Sequence, residues 1–133
     1  LRKIRGLLLR YSFQREHILQ ILRNSTEHYS VEQVHKELLK EIPNVSLMTV
    51  YRNLTLLAKK GDIIPLHINN AVHYCGDVNP HYHLECLNCG EVSDFYNSEL
   101  LTKNKLLDYN DFSPARNGIL FRGICSDCKE AEA

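Results

Sequence analysis

The sequence has no apolar run long enough to cross a membrane, and it shows no signal peptide. It also has no net charge, since 16 Lys and Arg balance 16 Asp and Glu. The absence of a long apolar run argues against a membrane-spanning protein. With 133 residues, of which 44% are hydrophobic and 24% charged, the composition is that of a soluble globular protein with one domain or two small ones.

The zero net charge hides an uneven distribution along the chain. Residues 1–80 carry eleven Lys and Arg against seven Asp and Glu, whereas residues 81–133 carry five against nine. A basic N-terminal half favours nucleic acid as its partner, and an acidic C-terminal half indicates a different task. Solvated helix faces would give the same counts, so charge alone does not decide.

Cysteine is scarce, but four of the five cysteines form two C-x-x-C pairs, Cys86/Cys89 and Cys125/Cys128. Four thiolates suit a tetrahedral structural Zn²⁺ site. Two disulfides or a redox dithiol are the alternatives. A thiol-disulfide oxidoreductase is disfavoured because neither pair is expected to open a helix in a thioredoxin-like unit. Reduced thiolates also argue for a cytoplasmic protein.

Residues 1–61 carry a series of helix signals. Apolar residues at helical spacing predict a basic amphipathic helix at the N-terminus and a second helix from about Gln14. The segment Ser30-Val-Glu-Gln33 is a capping box that opens a third helix, which Pro43-Asn44 is expected to break. Ser46 caps a fourth helix, which ends at Lys59-Lys60-Gly61.

The third and fourth helices predict a helix-turn-helix whose second helix enters a DNA major groove. The apolar face of that helix consists of Leu47, Val50, Leu54 and Leu57. Its other face carries Thr49, Arg52 and Thr55, and Tyr51 lies on the flank. Arg can pair with guanine and Asn with adenine, while Tyr and Thr can contact phosphates or the thymine methyl. An ordinary helical hairpin with a polar outer face is the alternative.

Two apolar segments, 63–68 and 71–75, flank Asn69-Asn70 and predict a β-hairpin. Pro65 confines the first of these strands to a sheet edge. A hairpin directly after a helix-turn-helix is a wing, so residues 1–75 are expected to form a winged-helix DNA-binding domain.

Residues 76–80 are polar and turn-rich and are expected to be a hinge. The remaining residues, 81–133, predict a small α/β domain, so the fold class is α+β. Its expected elements are strands near 81–86 and 91–96, a helix around 97–107, a polar loop through Pro114 and a strand over 118–124.

A second candidate metal site begins at His81-Tyr82-His83. Side chains alternate along a strand, so both imidazoles lie on one face, and Asp94 follows on the next strand. Imidazole and carboxylate ligands suit Fe²⁺, Mn²⁺ or Zn²⁺ and leave coordination positions open. Surface histidines near a structural zinc are the alternative.

The segment Thr49-Val-Tyr-Arg-Asn-Leu54, the wing, His81-x-His83, the C-x-x-C-G and the terminal C-x-x-C together resemble the ferric uptake regulator superfamily over nearly the whole chain. The resemblance implies a homodimeric, metal-dependent transcriptional repressor, not an enzyme, with a C-terminal dimerisation domain. Its partner would be double-stranded DNA with an inverted-repeat operator. The residues expected to contact DNA are Arg15, Thr49, Tyr51 and Arg52.

Within the superfamily, the chain is most similar to the peroxide-sensing repressors, in which Fe²⁺ or Mn²⁺ is the regulatory metal. The residues that match their metal ligands are His28, His81, His83 and Asp94. The position of the wing acid holds Cys75 instead. Either Cys75 is a ligand, or Asp77 takes its place, or the fifth position is empty. Cys75 could also be a small buried hydrophobe.

Two further positions bear on which signal is sensed. Tyr82 and Asn117 stand where iron-sensing members have an acid and a His for an extra metal site, so that site is expected to be absent. Asp94 stands where iron sensors more often have Glu, which favours peroxide sensing over an iron-responsive regulator. The other histidines, expected to be surface or packing residues, are His17, His35, His67 and His73.

Overall fold

The structure, a computed structural model, describes residues 2–96 and 119–132, with side-chain exposure for 11–96 and 119–131. The chain divides into two compact units, Leu1–Val78 and Asn79–Ala133. The boundary between them falls inside the segment expected to be a hinge. The helix expected around 97–107, the polar loop through Pro114 and Asn117 lie outside the described residues.

The first unit contains three helices and a three-stranded sheet. These elements are α1 (Arg2–Arg23), β1 (Tyr29–Ser30), α2 (Val31–Leu38), α3 (Leu47–Lys60), β2 (Ile64–Ile68) and β3 (Ala71–Cys75). The prediction of two separate helices before residue 24 was wrong, because α1 is continuous. Tyr11-Ser12-Phe13 contains neither Pro nor Gly, so nothing interrupts the backbone hydrogen bonds there.

The predicted caps of α2 and α3 are confirmed. The Ser30 hydroxyl accepts the backbone N–H of Gln33, and the Gln33 side chain accepts the N–H of Ser30 at 2.9 Å. The Ser46 hydroxyl accepts the N–H of Thr49 at 3.1 Å, and Gly61 ends α3 with a left-handed φ of +80°. Helix α2 ends at Leu38, earlier than the predicted break at Pro43-Asn44.

The core of the first unit lies where α1, α2 and α3 meet the sheet. Its fully buried members include Ile18, Leu22, Val34, Leu38, Val50 and Leu54. Leu47 is not among them: it is 43% exposed, so its placement on the buried face was wrong. Leu47 is the first residue of α3, and its side chain lies outside the core at that end of the helix. Asn53 is 5% exposed, so the only Asn of α3 faces the core and cannot read adenine.

The predicted wing is confirmed. Strands β2 and β3 pair antiparallel from Ile64 opposite Cys75 to Ile68 opposite Ala71. Asn69 and Asn70 connect them with φ of 50° and 64°, the positive values that a tight hairpin turn requires. The sheet order β1-β3-β2 leaves β2, with Pro65, at an edge. Strand β1 was not predicted because two residues carry no alternation pattern.

The second unit contains a three-stranded sheet and a short helix among its described residues. These elements are β4 (Tyr82–Cys86), β5 (Val92–Phe95), β6 (Ile119–Gly123) and α4 (Ser126–Glu132). Strand β4 lies in the middle, antiparallel to β5 and parallel to β6. Tyr82 pairs with Ile119 and Cys86 with Gly123. This register places the segment after β6 next to the first C-x-x-C pair.

Helix α4 corrects one expectation about the cysteines. Cys125 directly precedes this helix and Cys128 lies in its first turn, so the second C-x-x-C pair does open a helix. The second pair nevertheless lies next to the first, which occupies the β4–β5 turn, whereas a redox C-x-x-C pair works alone. Within the part of the chain that the structure describes, no helix has both the length and the apolar character to cross a membrane.

Candidate metal centres and DNA-contact face

The four paired cysteines come together in the second unit. The sulfurs of Cys86 and Cys128 lie 3.7 Å apart, and those of Cys89 and Cys125 lie 3.9 Å apart. All four sulfurs lie within 4.8 Å of one another. A tetrahedral zinc with Zn–S bonds of about 2.3 Å requires sulfur–sulfur separations of about 3.8 Å. The cluster therefore has the dimensions of a Cys₄ zinc site.

The backbone around each pair aims the thiols inward. After Cys86-Leu-Asn-Cys89, Gly90 takes a left-handed φ of 79°, and its N–H donates to the Cys86 carbonyl at 2.9 Å. The N–H of Cys125 donates to the Cys86 sulfur at 3.4 Å. The backbone N–H groups of Cys125 and then Cys89 lower the pKa of the Cys86 thiol to about 6. A lowered pKa favours the thiolate, the form that binds metal.

The sulfur distances exclude disulfides for this arrangement. A disulfide bond is about 2.05 Å long, and all five cysteines are free thiols. Four sulfurs converging on one point, two from the β4–β5 turn and two from the segment after β6, fit a single ion better than two independent redox pairs. The structure therefore favours metal binding over the oxidoreductase alternative.

The second predicted constellation also forms within the second unit. The Nε2 atoms of His81 and His83 lie 3.0 Å apart. The Asp94 Oδ1 lies 3.5 Å from Nε2 of His81 and 3.3 Å from Nε2 of His83. Both histidines are fully buried, and His83 faces Asp94 directly in the β4–β5 register. Two imidazoles and one carboxylate that share a point are a set that Fe²⁺, Mn²⁺ or Zn²⁺ binds with positions left open.

A residue that sequence reasoning missed orients this group. Nδ1 of His81 lies within hydrogen-bond distance of the Asn79 carbonyl, which can only accept. Nδ1 therefore carries the proton, and the lone pair of Nε2 points at the shared position. Tyr96 stacks on the His81 ring with centroids 4.8 Å apart and holds its plane. No sequence signal marked Asn79, because a backbone carbonyl can come from any residue type.

His28 and Cys75 lie together in the first unit. Tyr29 pairs with Tyr74 and Ser30 with His73, so the antiparallel register brings the preceding His28 opposite Cys75. A ring nitrogen of His28 and the Cys75 sulfur lie within 4.8 Å of each other. Cys75 is 4% exposed, and its thiol donates to the Asp77 carbonyl at 3.7 Å. The geometry favours Cys75 over Asp77 as the partner of His28.

Two other polar groups have structural partners. His35 donates from Nε2 to the Val45 carbonyl at 2.8 Å and so ties α2 to the turn before α3. Glu85, buried on β4, accepts from Arg122 Nε at 2.9 Å. The β4–β6 register pairs these two residues, which the sequence alone could not reveal. His35 and Glu85 therefore already have roles in the fold.

The outer face of α3 carries the residues expected to contact DNA. Tyr51 and Arg52 are exposed, and Thr49 is half-buried with its hydroxyl 2.8 Å from the Ser46 hydroxyl. Arg15 lies in the middle of α1, and its guanidinium donates to the Ser12 hydroxyl at 3.4 Å. The surface thus presents one planar cation and one aromatic ring on the second helix of a helix-turn-helix.

Comparison with known proteins decides the family. Residues 7–116 match the ferric uptake regulator family. This chain belongs to that family. Its members are dimeric DNA-binding regulators that depend on metal, and they are transcriptional regulators rather than enzymes. The family fold combines a winged helix with a dimerisation domain.

Relatives within the ferric uptake regulator family include peroxide regulators. The peroxide operon regulator of Bacillus subtilis (strain 168) is 31% identical over 126 residues, 93% of this chain and 87% of that protein. The crystal structure of the Campylobacter jejuni peroxide stress regulator has a TM-score of 0.82 at 26% identity, covering 96% of this chain and 98% of that one. The resemblance to peroxide-sensing members is confirmed.

An iron regulator shares the same fold. The ferric uptake regulator Fur of Helicobacter pylori has a TM-score of 0.75 at 24% identity, and the alignment covers 96% of this chain and 91% of that one. That structure has three functional metal-binding sites. Identity at this level establishes a common fold only, so the choice between peroxide and iron as the signal rests on the residues of this chain.

Proposed function

We propose that this protein is a metal-dependent transcriptional repressor that senses peroxide through a regulatory Fe²⁺ or Mn²⁺ site. The observation that carries the proposal is the convergence of His81, His83 and Asp94, whose three ligand atoms lie within 3.5 Å of one another. A set with open coordination positions leaves room for a reactant, unlike the closed Cys₄ cluster. We also propose a cytoplasmic location, where thiols stay reduced.

The two metal sites would have different tasks. Cys86, Cys89, Cys125 and Cys128 would hold a structural Zn²⁺ that ties β6 and α4 to the β4–β5 turn. His81, His83 and Asp94 would hold the regulatory ion. We assign His28 and Cys75 as its further ligands because His28 matches the peroxide-sensor pattern and a thiolate can replace the wing acid.

The assignment of ligands to both units supplies a switch. His28 and Cys75 belong to the DNA-binding unit, whereas His81, His83 and Asp94 belong to the other unit. An ion that takes ligands from both would favour one relative orientation and hence one spacing of the two DNA-binding units in a dimer. Bound metal then stabilises the DNA-competent state by its difference in affinity for the two states.

Peroxide would act on the ligands themselves. Bound Fe²⁺ would supply the redox chemistry that activates peroxide. One peroxide oxygen is inserted at a carbon of the His28 or His81 imidazole, and the other oxygen leaves in water. The oxidised ring is a weaker ligand, so the metal-bound state loses its advantage and the repressor leaves DNA. Mn²⁺ should support DNA binding without this sensitivity.

The test uses the whole chain and DNA duplexes that it selects from a random library in the presence of Mn²⁺. Affinity for the selected duplex is measured for the Fe²⁺ and Mn²⁺ forms, before and after stoichiometric peroxide. Mass spectrometry then locates added oxygen. We expect DNA release only in the Fe²⁺ form, with an addition of one oxygen on a peptide that contains His28 or His81.

Two other outcomes contradict parts of the proposal. Binding that requires Fe²⁺ but ignores peroxide would identify an iron-responsive regulator. Release without oxygen on any histidine would overturn the histidine mechanism and make oxidation of the Cys75 thiolate the leading explanation. The matched control is His67→Ala, because His67 is exposed on the wing and lies in neither group of ligands.

A further inference from the structure

The first turns of α3 expose more apolar surface than a solvated helix face requires. Leu47, Met48 and Tyr51 are 43%, 57% and 51% exposed, although all three are large hydrophobic side chains. Single exposed hydrophobic residues are common on protein surfaces. Three of them within about one turn of one helix form a cluster, and such a cluster marks a contact surface.

Met48 shares its helix face with the two expected DNA-contacting residues. Positions 48, 51 and 52 are related by steps of three and four residues, which place side chains on one side of a helix. The buried residues of α3, such as Val50, Leu54 and Leu57, face the core instead. Met48 therefore extends the Tyr51–Arg52 surface towards the start of the helix, where helix-turn-helix proteins contact base edges.

The chemistry of Met48 limits what it can recognise. A thioether donates no hydrogen bond and accepts only weakly, so it cannot distinguish bases by hydrogen bonding. The apolar group on the major-groove edges of the bases is the C5-methyl of thymine. We propose that Met48 is a specificity-determining residue that reads a thymine methyl in the major groove. This inference rests on the proposed DNA binding.

The helix geometry also predicts where that thymine lies. Met48 precedes Arg52 by four residues, which is about 6 Å along a helix axis. Successive bases of one strand are about 3.4 Å apart. When the helix lies along the groove, the thymine contacted by Met48 is about two base pairs from the contact made by Arg52.

The test removes the methyl from DNA and the thioether from the protein separately. A duplex is selected with the whole Mn²⁺-loaded chain, and each thymine is then replaced by deoxyuridine, which lacks only the methyl. The wild-type protein should lose about fourfold in affinity per half-site at one thymine, the effect of one buried methyl group. Met48→Ala should bind both duplexes equally, with about the affinity that the wild type has for the deoxyuridine duplex. Met48→Leu should still distinguish the two duplexes.

Leu39→Ala is the matched control, because Leu39 is another exposed aliphatic residue of the same unit, at the end of α2. It should distinguish thymine from deoxyuridine as the wild type does. If Met48→Ala distinguishes them equally well, the inference is overturned, and the apolar surface serves another partner. If no duplex is selected, both this inference and the proposed function fail. Circular dichroism confirms that each variant is folded.

Discussion

At the scale of single residues, the functional groups of this chain depend on orientation as much as on residue type. His81 is a candidate ligand because its Nδ1–H donates to the Asn79 carbonyl, which directs Nε2 towards the position shared with His83 and Asp94. Glu85 is a buried carboxylate four residues further on, in β4, but it forms an ion pair with Arg122. The hydrogen-bond partner of a polar side chain therefore decides whether that side chain can bind a metal or has only a structural role.

His83→Ala should abolish high-affinity binding of the regulatory ion while leaving the Cys₄ cluster intact. The substitution removes one of the five proposed ligands, and one of the three whose atoms converge in the second unit, so the remaining set should hold the ion far more weakly. Metal analysis of protein equilibrated with Zn²⁺ and Mn²⁺ should show unchanged zinc per chain and loss of manganese. Retention of both metals would contradict the ligand assignment, and His67→Ala should retain both.

Arg52→Ala should weaken DNA binding at fixed salt by about 1–3 kcal/mol if Arg52 contacts a base. The exposed guanidinium can pair with guanine in two hydrogen bonds, and alanine leaves the base edge without its partner. Fluorescence anisotropy with the selected duplex measures the loss. Lys40→Ala is the control, since Lys40 is an exposed cation that pairs with Glu37 on α2. An equal effect of both substitutions would indicate that Arg52 contributes only non-specific electrostatic attraction to DNA.

At the scale of elements, each unit contains one close contact between segments that are distant in sequence. In the first unit the backbone of Gly76 lies against the end of α1. In the second unit β6 runs parallel to β4, which places Cys125 next to the other cysteines of the cluster. Both contacts join segments that are distant in sequence, so each contributes to the stability of its unit.

Gly76→Ala should destabilise the first unit by about 1–3 kcal/mol, the usual cost of overpacking. A Cβ at this position would lie 2.6 Å from the Leu22 carbonyl carbon and 2.9 Å from the Arg23 nitrogen, which are backbone atoms that cannot rotate away. Urea unfolding measures the change. Gly123→Ala is the control, because nothing lies within 4 Å of its added Cβ, and it should change the free energy of unfolding by less than about 0.5 kcal/mol.

Cys125→Ser should remove the metal of the Cys₄ cluster and unfold part of the second unit. A Cys₃Ser site binds zinc far more weakly, and the binding free energy of a structural zinc is folding free energy. Metal analysis and circular dichroism in a reducing buffer measure both effects. Cys75→Ser is the control and should keep the cluster zinc. A Cys125→Ser protein that is fully folded with full zinc content would refute the structural role.

At the scale of the whole molecule, a family of dimeric regulators implies two copies of α3 related by two-fold symmetry. We expect the basic residues within 1–80 to provide the phosphate contacts of such a dimer. Charge asymmetry that cancels in the total is therefore informative only when each unit is considered separately.

The protein should prefer inverted repeats whose half-sites are separated by whole turns of DNA. The two recognition helices of a symmetric dimer can enter major grooves on one side of the duplex only at such spacings. Inserting five base pairs between the selected half-sites rotates one of them by about half a turn and should reduce affinity to that of a single half-site. Inserting ten is the control for length. Equal loss from both insertions would argue against simultaneous binding of two half-sites.

Local sequence signals correctly predicted several helix ends and the wing of this protein. Capping residues at Ser30 and Ser46, the left-handed Gly61 and the Asn69-Asn70 turn fix helix ends and the wing, because each acts on backbone within a few residues. The C-x-x-C and H-x-H spacings likewise determined which side chains share a face. The resemblance to the family could also be recognised from these signals, because the family's motifs are local patterns in a fixed order.

The tertiary structure decided what depends on pairing between distant segments. Only the parallel β4–β6 register joins Cys86 to Cys128 and Glu85 to Arg122, and only the β1–β3 register brings His28 opposite Cys75. The sequence also failed to show that Leu47 and Met48 are exposed, because a helical period places residues on a face without saying where the core ends. Register and burial are properties of the packed chain, and no short stretch of residues encodes them.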